Sequence, residues 1–384
     1  MRLLIAGGGT GGHIYPALAV ARSLRDRPNA PDLVWLGGHR GLEADLVRDA
    51  RIRCRRLALR SLRTVDVSIH AVLDPVRLAV SVPQAAAVLA IEKPAAILTT
   101  GGYVAVPTLI AAGPMRIPVV LWEGNATPGR AVRLTARWAD ALAVSYEAAA
   151  AALATAGRPA FVTGTPIRDV TAISRAEARA RLDLPADAPT ILIFGGSQAV
   201  RRFNAAVAAA LPRLVERVHV LHVTGDSGYA AALAGREQLS TDRRVRYRPY
   251  PFLREDMLAA LVATDLVIGR AGSSTLAEVT ALGIPAVIVP YPHAAGHQAA
   301  NAEILAAAGA ARIVADEAFD ADALVAATGI LFDEPTRTAM AAAARSLGRP
   351  GAARAVAALV LALAERRPLP DAAEIEAIAR GVAA

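Results

Sequence analysis

Residues 269–301 hold parts suited to binding a nucleotide-sugar. Leu266-Val267-Ile268 reads as a strand, and the turn Gly272-Ser273-Ser274-Thr275 leads into a helix expected from Leu276. Backbone N–H groups at a helix N-terminus lack intrahelical partners and form a seat for phosphate. Glu278 follows on that helix, where its carboxylate can accept two ribose hydroxyls. After a strand at 286–289, a Pro-rich loop is expected to carry His297, Gln298 and Asn301, whose side chains can read sugar hydroxyls. A plainer reading stands beside this one: Thr275-Leu276-Ala277-Glu278 fits a capping box, in which Glu278 only returns to a backbone N–H.

A second constellation opens the chain. Gly7-Gly8-Gly9-Thr10-Gly11-Gly12 satisfies G-x-G-x-x-G between a strand and a helix, which taken alone indicates a dinucleotide. Such a fold wants a carboxylate at the end of its second strand. Here that strand, at 33–36, runs into Gly37-Gly38-His39-Arg40. His13 directly follows the glycines. The positive end of a helix dipole favours a neutral imidazole, which suits a general base; the alternative is that His13 only caps or packs.

Three other signals carry less. His293 and His297 are four apart, as metal-binding pairs can be, but Pro292 and Gly296 indicate a loop and no third ligand is evident, so no metal is expected. Asp320-Ala321-Asp322 is a D-x-D, a motif that can hold a metal-bound diphosphate, yet it opens a helix, and N-cap and dipole roles explain it better. His219 and His222 fall on opposite faces of a strand and are read as structural.

These residues need a scaffold of alternating strands and helices. Short β runs at 3–6, 33–36, 96–99 and 119–122 alternate with Ala-rich helical runs, one at 16–25. The pattern restarts at 190–194, followed by Gly195-Gly196-Ser197, and continues through runs at 218–223, 244–247 and 266–268. Such repeats define βαβ units on parallel sheets, an α/β fold of two Rossmann-like halves. The expected division is an N-terminal lobe at 1–164, a C-terminal lobe at 165–349, and a helical tail at 350–384 packing back on the N-terminal lobe. Open parallel sheets bind ligands at the carboxyl ends of their strands, where both glycine loops lie. Two lobes facing across a cleft would each hold one ligand.

The chain of 384 residues is 54% hydrophobic, enough for two cores. Its net charge of +8 comes almost wholly from arginine, Lys93 being the sole lysine. Such charge attracts nucleic acid, acidic lipid or a diphosphate. Cys54 is alone, which points to a reducing compartment. The opening apolar run is too short for a signal peptide, and no window is expected to reach the roughly 20 apolar residues of a membrane span. The best rival, 355–364, reads as a packed helix. Arg51, Arg53 and Arg55 alternate with Ile52 and Cys54, as on one strand face, and Arg48, Arg56, Arg60 and Arg63 extend the patch. It is either a charge-protected edge or a surface for anionic lipid. The apolar residues Val72, Leu73, Val76, Leu78, Val80 and Val82 nearby favour an interface with a membrane.

Taken together, the pieces are similar to the bacterial MurG-type N-acetylglucosaminyltransferases that form lipid II. They are residues 8–13, Thr100-Gly101-Gly102-Tyr103, 123–129, 164–168, Gly195-Gly196-Ser197-Gln198, 272–278, His293 and 297–302. Each is weak alone; their order and spacing over nearly the whole chain are specific. The resemblance implies a GT-B fold and a metal-independent, inverting enzyme with no cofactor, at the cytoplasmic face of the cell membrane. Its partners would be UDP-N-acetylglucosamine, lipid I and an anionic membrane surface, with no nucleic acid. His13 would lie near the attacking hydroxyl, and Thr10, Gly11, Gly12 and Asn125 on the acceptor side. On the donor side, Glu278 would hold the ribose. Arg168, Ser197 and the backbone at Ser273, Ser274 and Thr275 would meet the diphosphate. Leu253 would offer backbone to uracil, and His297 and Gln298 would read the sugar.

The chain departs from that pattern in places. Trp122-Glu123-Gly124-Asn125 replaces His-Glu-Gln-Asn, Gly164-Thr165-Pro166 replaces Gly-Asn-Pro, and Ala295-Gly296 stands where acidic residues are common. Competing readings are another lipid glycosyltransferase, such as one acting on diacylglycerol, a sugar-nucleotide epimerase, an NAD(P)-dependent oxidoreductase and a non-catalytic nucleotide-sugar sensor.

Overall fold

The computed structural model describes residues 1–38, 43–59, 70–195, 200–253, 256–294 and 296–382. Ser197, Arg60, Arg63, His39 and Arg40 lie outside the described residues, as do the side chains of Val72, Leu73 and Val76. The chain divides into two units, Met1–Arg168 with Arg349–Ala384, and Asp169–Gly348.

The first unit holds seven strands: β1 (Arg2–Ala6), β2 (Asp32–Gly38), β3 (Arg53–Leu57), β4 (Ala96–Thr99), β5 (Val119–Glu123), β6 (Ala141–Val144) and β7 (Ala160–Val162). They form one parallel sheet in the order β3-β2-β1-β4-β5-β6-β7. Alternate residues feed two cores. Leu3, Ile5, Trp35, Leu98 and Trp122 face one side; Leu4, Leu36, Ile97, Leu121 and Leu142 face the other. Burial on both faces explains why these strands read as continuous apolar runs. The helix Ala352–Ala364 seals the first face through Val356, Leu359 and Val360.

The second unit holds β8 (Thr190–Phe194), β9 (His219–Val223), β10 (Tyr247–Tyr250), β11 (Leu266–Gly269), β12 (Ala286–Ile288) and β13 (Ala311–Ile313). Their order is β10-β9-β8-β11-β12-β13, again parallel. In both sheets the order reverses beside the first strand of the unit, the topological switch point where α/β sheets bind ligands.

Several expectations need correction. The strand expected at 244–247 lies at β10, because residues 240–246 close a helical turn through Arg244 N–H to the Ser240 carbonyl. Pro249 is tolerated there because β10 is an edge strand. Arg51 is not on a strand face; its φ of 53° places it in the turn before β3. Arg53 and Arg55 both pair with the buried Glu92, and Arg53 also with Asp32, so the two arginines of the patch that lie on β3's alternating face are ion-paired within the fold. The run Glu334–Ala364 is long and apolar enough, by length and composition, to pass for a membrane span. It is two helices, Glu334–Leu347 and Ala352–Ala364, one in each unit, and 61% of its apolar window is buried, as in core helices.

Candidate active site

In the first unit β1 delivers the chain to Gly7–Thr10, and the helix Gly11–Arg25 begins at once. Gly9 takes a φ of 102°, which favours glycine, and Thr10 is the N-cap. Thr10 and Gly12 are exposed, Gly11 and His13 partly buried. His13 is therefore in the first turn, held from below by the loop that follows β4. Its Nδ1 lies 2.5 Å from the Thr100 carbonyl, while the Thr100 hydroxyl donates to the His13 carbonyl at 2.9 Å.

A carbonyl oxygen can only accept, so Nδ1 carries the proton and the Nε2 lone pair is left to take one. That is the tautomer a general base needs. Gly101 and Gly102, at φ 82° and 72°, floor the ring; a Cβ on Gly102 would sit 3.0 Å from the Gly8 carbonyl.

Asn125 lies in the loop after β5. Its backbone N–H and its Nδ2 both donate to Glu123 Oε1, at 2.9 and 3.0 Å, and the Gly129 N–H donates to Oε2 at 3.0 Å. Glu123 is 5% exposed and holds the whole loop by one carboxylate. Sequence reasoning named Glu123 only as part of a motif; the signal available was an acidic residue two before Asn125 and six before a glycine. Arg168 is partly buried and ends the first of the two segments of its unit.

In the second unit β11 leads through Arg270, Ala271 and Gly272 into the helix Ser273–Leu282. Ser273, Ser274 and Thr275 are thus its first turn and not a preceding loop, and Gly272 is an N-cap that offers no side-chain oxygen. The three N–H groups of that turn precede the first intrahelical bond, Leu276 N–H to the Gly272 carbonyl, and have no partner within the helix. Ser274 Oγ is buried with no hydrogen-bond partner among the described residues. Glu278 is 7% exposed and lies in the second turn. The capping-box alternative is excluded, since the cap is at Gly272, six residues earlier.

His297 and Gln298 open the helix Ala-rich in its later turns, His297–Ala307, which corrects the expectation of a loop. Gln298 Oε1 accepts from the Ala271 N–H at 3.2 Å and the Tyr291 N–H at 2.9 Å. Asn301 is fully buried and its Nδ2 donates to the Ala271 carbonyl at 3.3 Å, so it braces the loop and does not read sugar. Leu253 is 8% exposed in the core that also holds Leu276 and Val279.

The remaining signals have structural roles. Asp320 caps a helix by accepting from the Ala323 N–H, and Asp322 pairs with Arg213. His222 shares a hydrogen bond with the Tyr247 hydroxyl at 2.9 Å, and burial pushes its pKa down to about 3. Burial, with Arg248 and Arg246 nearby, holds His219 at about 4.

Two parallel-sheet units, each presenting a glycine-bearing loop and a helix N-terminus at its strand ends, define a GT-B glycosyltransferase. Comparison with known proteins gives the family. Residues 3–144 match the glycosyltransferase family 28 N-terminal domain, and residues 190–356 its C-terminal domain. The chain is 37% identical, over 92% of its length and 97% of the relative's, to the UDP-N-acetylglucosamine--N-acetylmuramyl-(pentapeptide) pyrophosphoryl-undecaprenol N-acetylglucosamine transferase of Lactiplantibacillus plantarum. It is 39% identical to the Corynebacterium diphtheriae protein of the same name, over 94% and 97%. Among solved structures, Acinetobacter baumannii MurG superposes with a TM-score of 0.72 at 29% identity, over 94% of this chain and 99% of that one. A putative UDP-N-acetylglucosamine 2-epimerase from Listeria monocytogenes gives 0.68 at 15% identity, over 97% and 98%, a likeness of fold alone. The chain belongs to glycosyltransferase family 28 and, within it, to the MurG-type N-acetylglucosaminyltransferases.

Proposed function

We propose that this chain transfers N-acetylglucosamine from UDP-N-acetylglucosamine to the muramoyl 4-hydroxyl of lipid I, giving lipid II with inversion at the anomeric carbon. The observation that carries the reading is the match, in both domains and along nearly the full length, to relatives bearing that activity by name.

The geometry of each unit supports a role in that reaction. In the first, His13 Nε2 accepts the proton of the 4-hydroxyl as its oxygen attacks the anomeric carbon. The bond from that carbon to the β-phosphate oxygen breaks, and UDP leaves with the electron pair. Thr10, Gly11, Gly12 and Asn125 seat the acceptor. In the second, the N–H groups of Ser273, Ser274 and Thr275, with Ser197, meet the growing negative charge; Arg168, which belongs to the first unit, is the further diphosphate donor. Donors so placed contribute about 3 kcal/mol each to lowering such barriers. Glu278 takes the ribose hydroxyls, the Leu253 backbone the uracil, and His297 and the Gln298 amide the sugar.

For the membrane we favour a surface other than the β3 arginines. The helix Arg130–Thr135 and the turn after it expose Leu134 (69%) and Trp138 (39%) among Arg130, Arg133 and Arg137, with the Arg137 guanidinium 4.9 Å from the Trp138 ring centre. Apolar side chains ringed by arginine suit the headgroup region of an anionic bilayer, on the cytoplasmic face where the donor is found.

The test is UDP release from lipid I and UDP-N-acetylglucosamine with excess chelator. Release only when both substrates are present, unchanged by chelator, is expected. Release without lipid I, or loss of activity on chelation, overturns the reading.

A further inference from the structure

Arg270 sits between β11 and the helix Ser273–Leu282 and is 6% exposed. Its Nη1 donates to the carbonyls of Val289 at 3.0 Å and Pro290 at 3.3 Å, just beyond β12. The same nitrogen lies 2.6 Å from Asp316 Oδ1, beyond β13. With its N–H groups aimed at carbonyls, this contact is a charge pair more than a hydrogen bond. Asp316 is itself held on its other oxygen by Arg202 Nε at 3.1 Å. The guanidinium also packs over the rings of Phe203 and Tyr291, 4.9 and 5.3 Å from their centres. Gln298 closes the network by joining the N–H groups of Ala271 and Tyr291. Three neighbouring strand ends are therefore tied together through one side chain.

A buried guanidinium needs a counter-charge as well as acceptors. Carbonyls supply the acceptors, and Asp316 supplies the charge. Arg270 is separated from Ser273 by only Ala271 and Gly272, so any outward shift of Arg270 moves the first turn of the helix. We infer that Asp316 is a positioning residue for the donor diphosphate, acting through Arg270 to hold the N–H groups of Ser273, Ser274 and Thr275 in place. This rests on reading that turn as the diphosphate seat. Asp316 itself lies past β13, outside the motif segments, and reaches the Ser273 turn through Arg270.

The experiment compares wild type with Asp316→Asn and Asp316→Glu by calorimetric UDP binding, steady-state kinetics and amide hydrogen exchange over 270–276. Asp316→Asn is expected to raise both the Kd for UDP and the donor KM roughly tenfold while kcat stays within about twofold. Exchange should speed up in that segment, and Asp316→Glu should recover most of the affinity. Wild-type Kd and KM in Asp316→Asn overturn the inference, as does an affinity loss that only tracks a fall in folded protein. Should wild type itself not bind UDP, the nucleotide-sugar reading fails. Exchange then decides: acceleration confined to 270–276 supports the positioning role, and no acceleration overturns it.

Discussion

The Trp122 indole N–H donates to the Gly164 carbonyl at 3.1 Å within the first unit, joining two segments that both depart from the family pattern. Trp122 stands where the family has histidine, and Thr165, beside Gly164, stands for asparagine. Thr165 in turn shares a hydrogen bond with Ser145 at 2.7 Å. Each departure thus finds its own partner inside the fold, where Trp122 is 1% and Thr165 3% exposed. Trp122→Phe keeps a ring but removes the indole donor; the Gly164 carbonyl keeps the Thr163 hydroxyl at 3.0 Å, so the lost bond costs about 0.5–1.5 kcal/mol. Urea unfolding should show that loss, with kcat of the folded fraction close to wild type. A large fall in kcat at full folding would mean that Trp122 acts in the reaction.

His13 has its tautomer fixed by Thr100, so its removal should strike the chemical step. His13→Ala is expected to lower kcat by about 10²–10⁴. UDP affinity should stay at the wild-type value, because the Ser273 turn and Glu278 proposed to hold UDP lie in the other unit. Gly102→Ala tests the floor under the ring. It forces a Cβ against the Gly8 carbonyl at a φ of 72°, and kcat should fall in that variant too. Unchanged kcat in His13→Ala would remove His13 as the base.

Much of the scaffold was legible because apolar runs buried on both faces announce themselves; the strands at 96–99 and 190–194 fall where the sequence puts them. β6 is not evident in the sequence because Ala-Leu-Ala-Val has only one β-favouring residue, Val144, and resembles the surrounding helices. The helix at Ser273 was placed three residues late because Ser-Ser-Thr reads as a turn, although the glycine before it is an acceptable cap. The His13 motif could be read, but its partner Thr100 is 87 residues away. The Arg270–Asp316 pair is a similar case, since nothing local to either residue names the other.

Glu123 serves three N–H donors with two oxygens. Glu123→Gln keeps one acceptor and turns an NH₂ group toward donors, which costs about 1–3 kcal/mol for each donor left unpaired. Because Asn125 and Gly129 depend on it, the loop should loosen and the KM for lipid I should rise, with UDP affinity unchanged. Titration of lipid I at saturating donor checks this. An acceptor KM equal to wild type would show that the loop does not seat the acceptor.

The exposed arginines around Leu134 and Trp138 should govern membrane association. Each basic residue near an anionic surface contributes about 1 kcal/mol. Arg133→Glu with Arg137→Glu should therefore cut sedimentation with phosphatidylglycerol vesicles by more than tenfold, and raising salt should weaken the wild type in the same direction. Turnover of a short-chain, soluble acceptor should be unaffected. Equal vesicle binding by the double variant would place the contact elsewhere.

His222 predicts acid sensitivity in the second unit. Its folded pKa, about 3, lies below the ordinary histidine value of 6.5, because burial disfavours the imidazolium. The unfolded chain therefore takes up a proton as pH falls below 6.5, while the folded chain does not until about pH 3. Protonation pulls toward the unfolded state throughout that window, so stability is highest above pH 6.5 and declines as pH drops. Between pH 6.5 and 5 the loss from this residue is about 2 kcal/mol. His222→Leu should remove about half of the acid loss, His219 at about 4 supplying the rest over the same window, although the Tyr247 hydroxyl loses its partner and the variant starts from a lower stability at pH 7. Urea midpoints at pH 7 and pH 5 for both proteins give the comparison. A wild-type midpoint that does not fall on acidification, or a fall of the same size in His222→Leu, would show that His222 does not govern it.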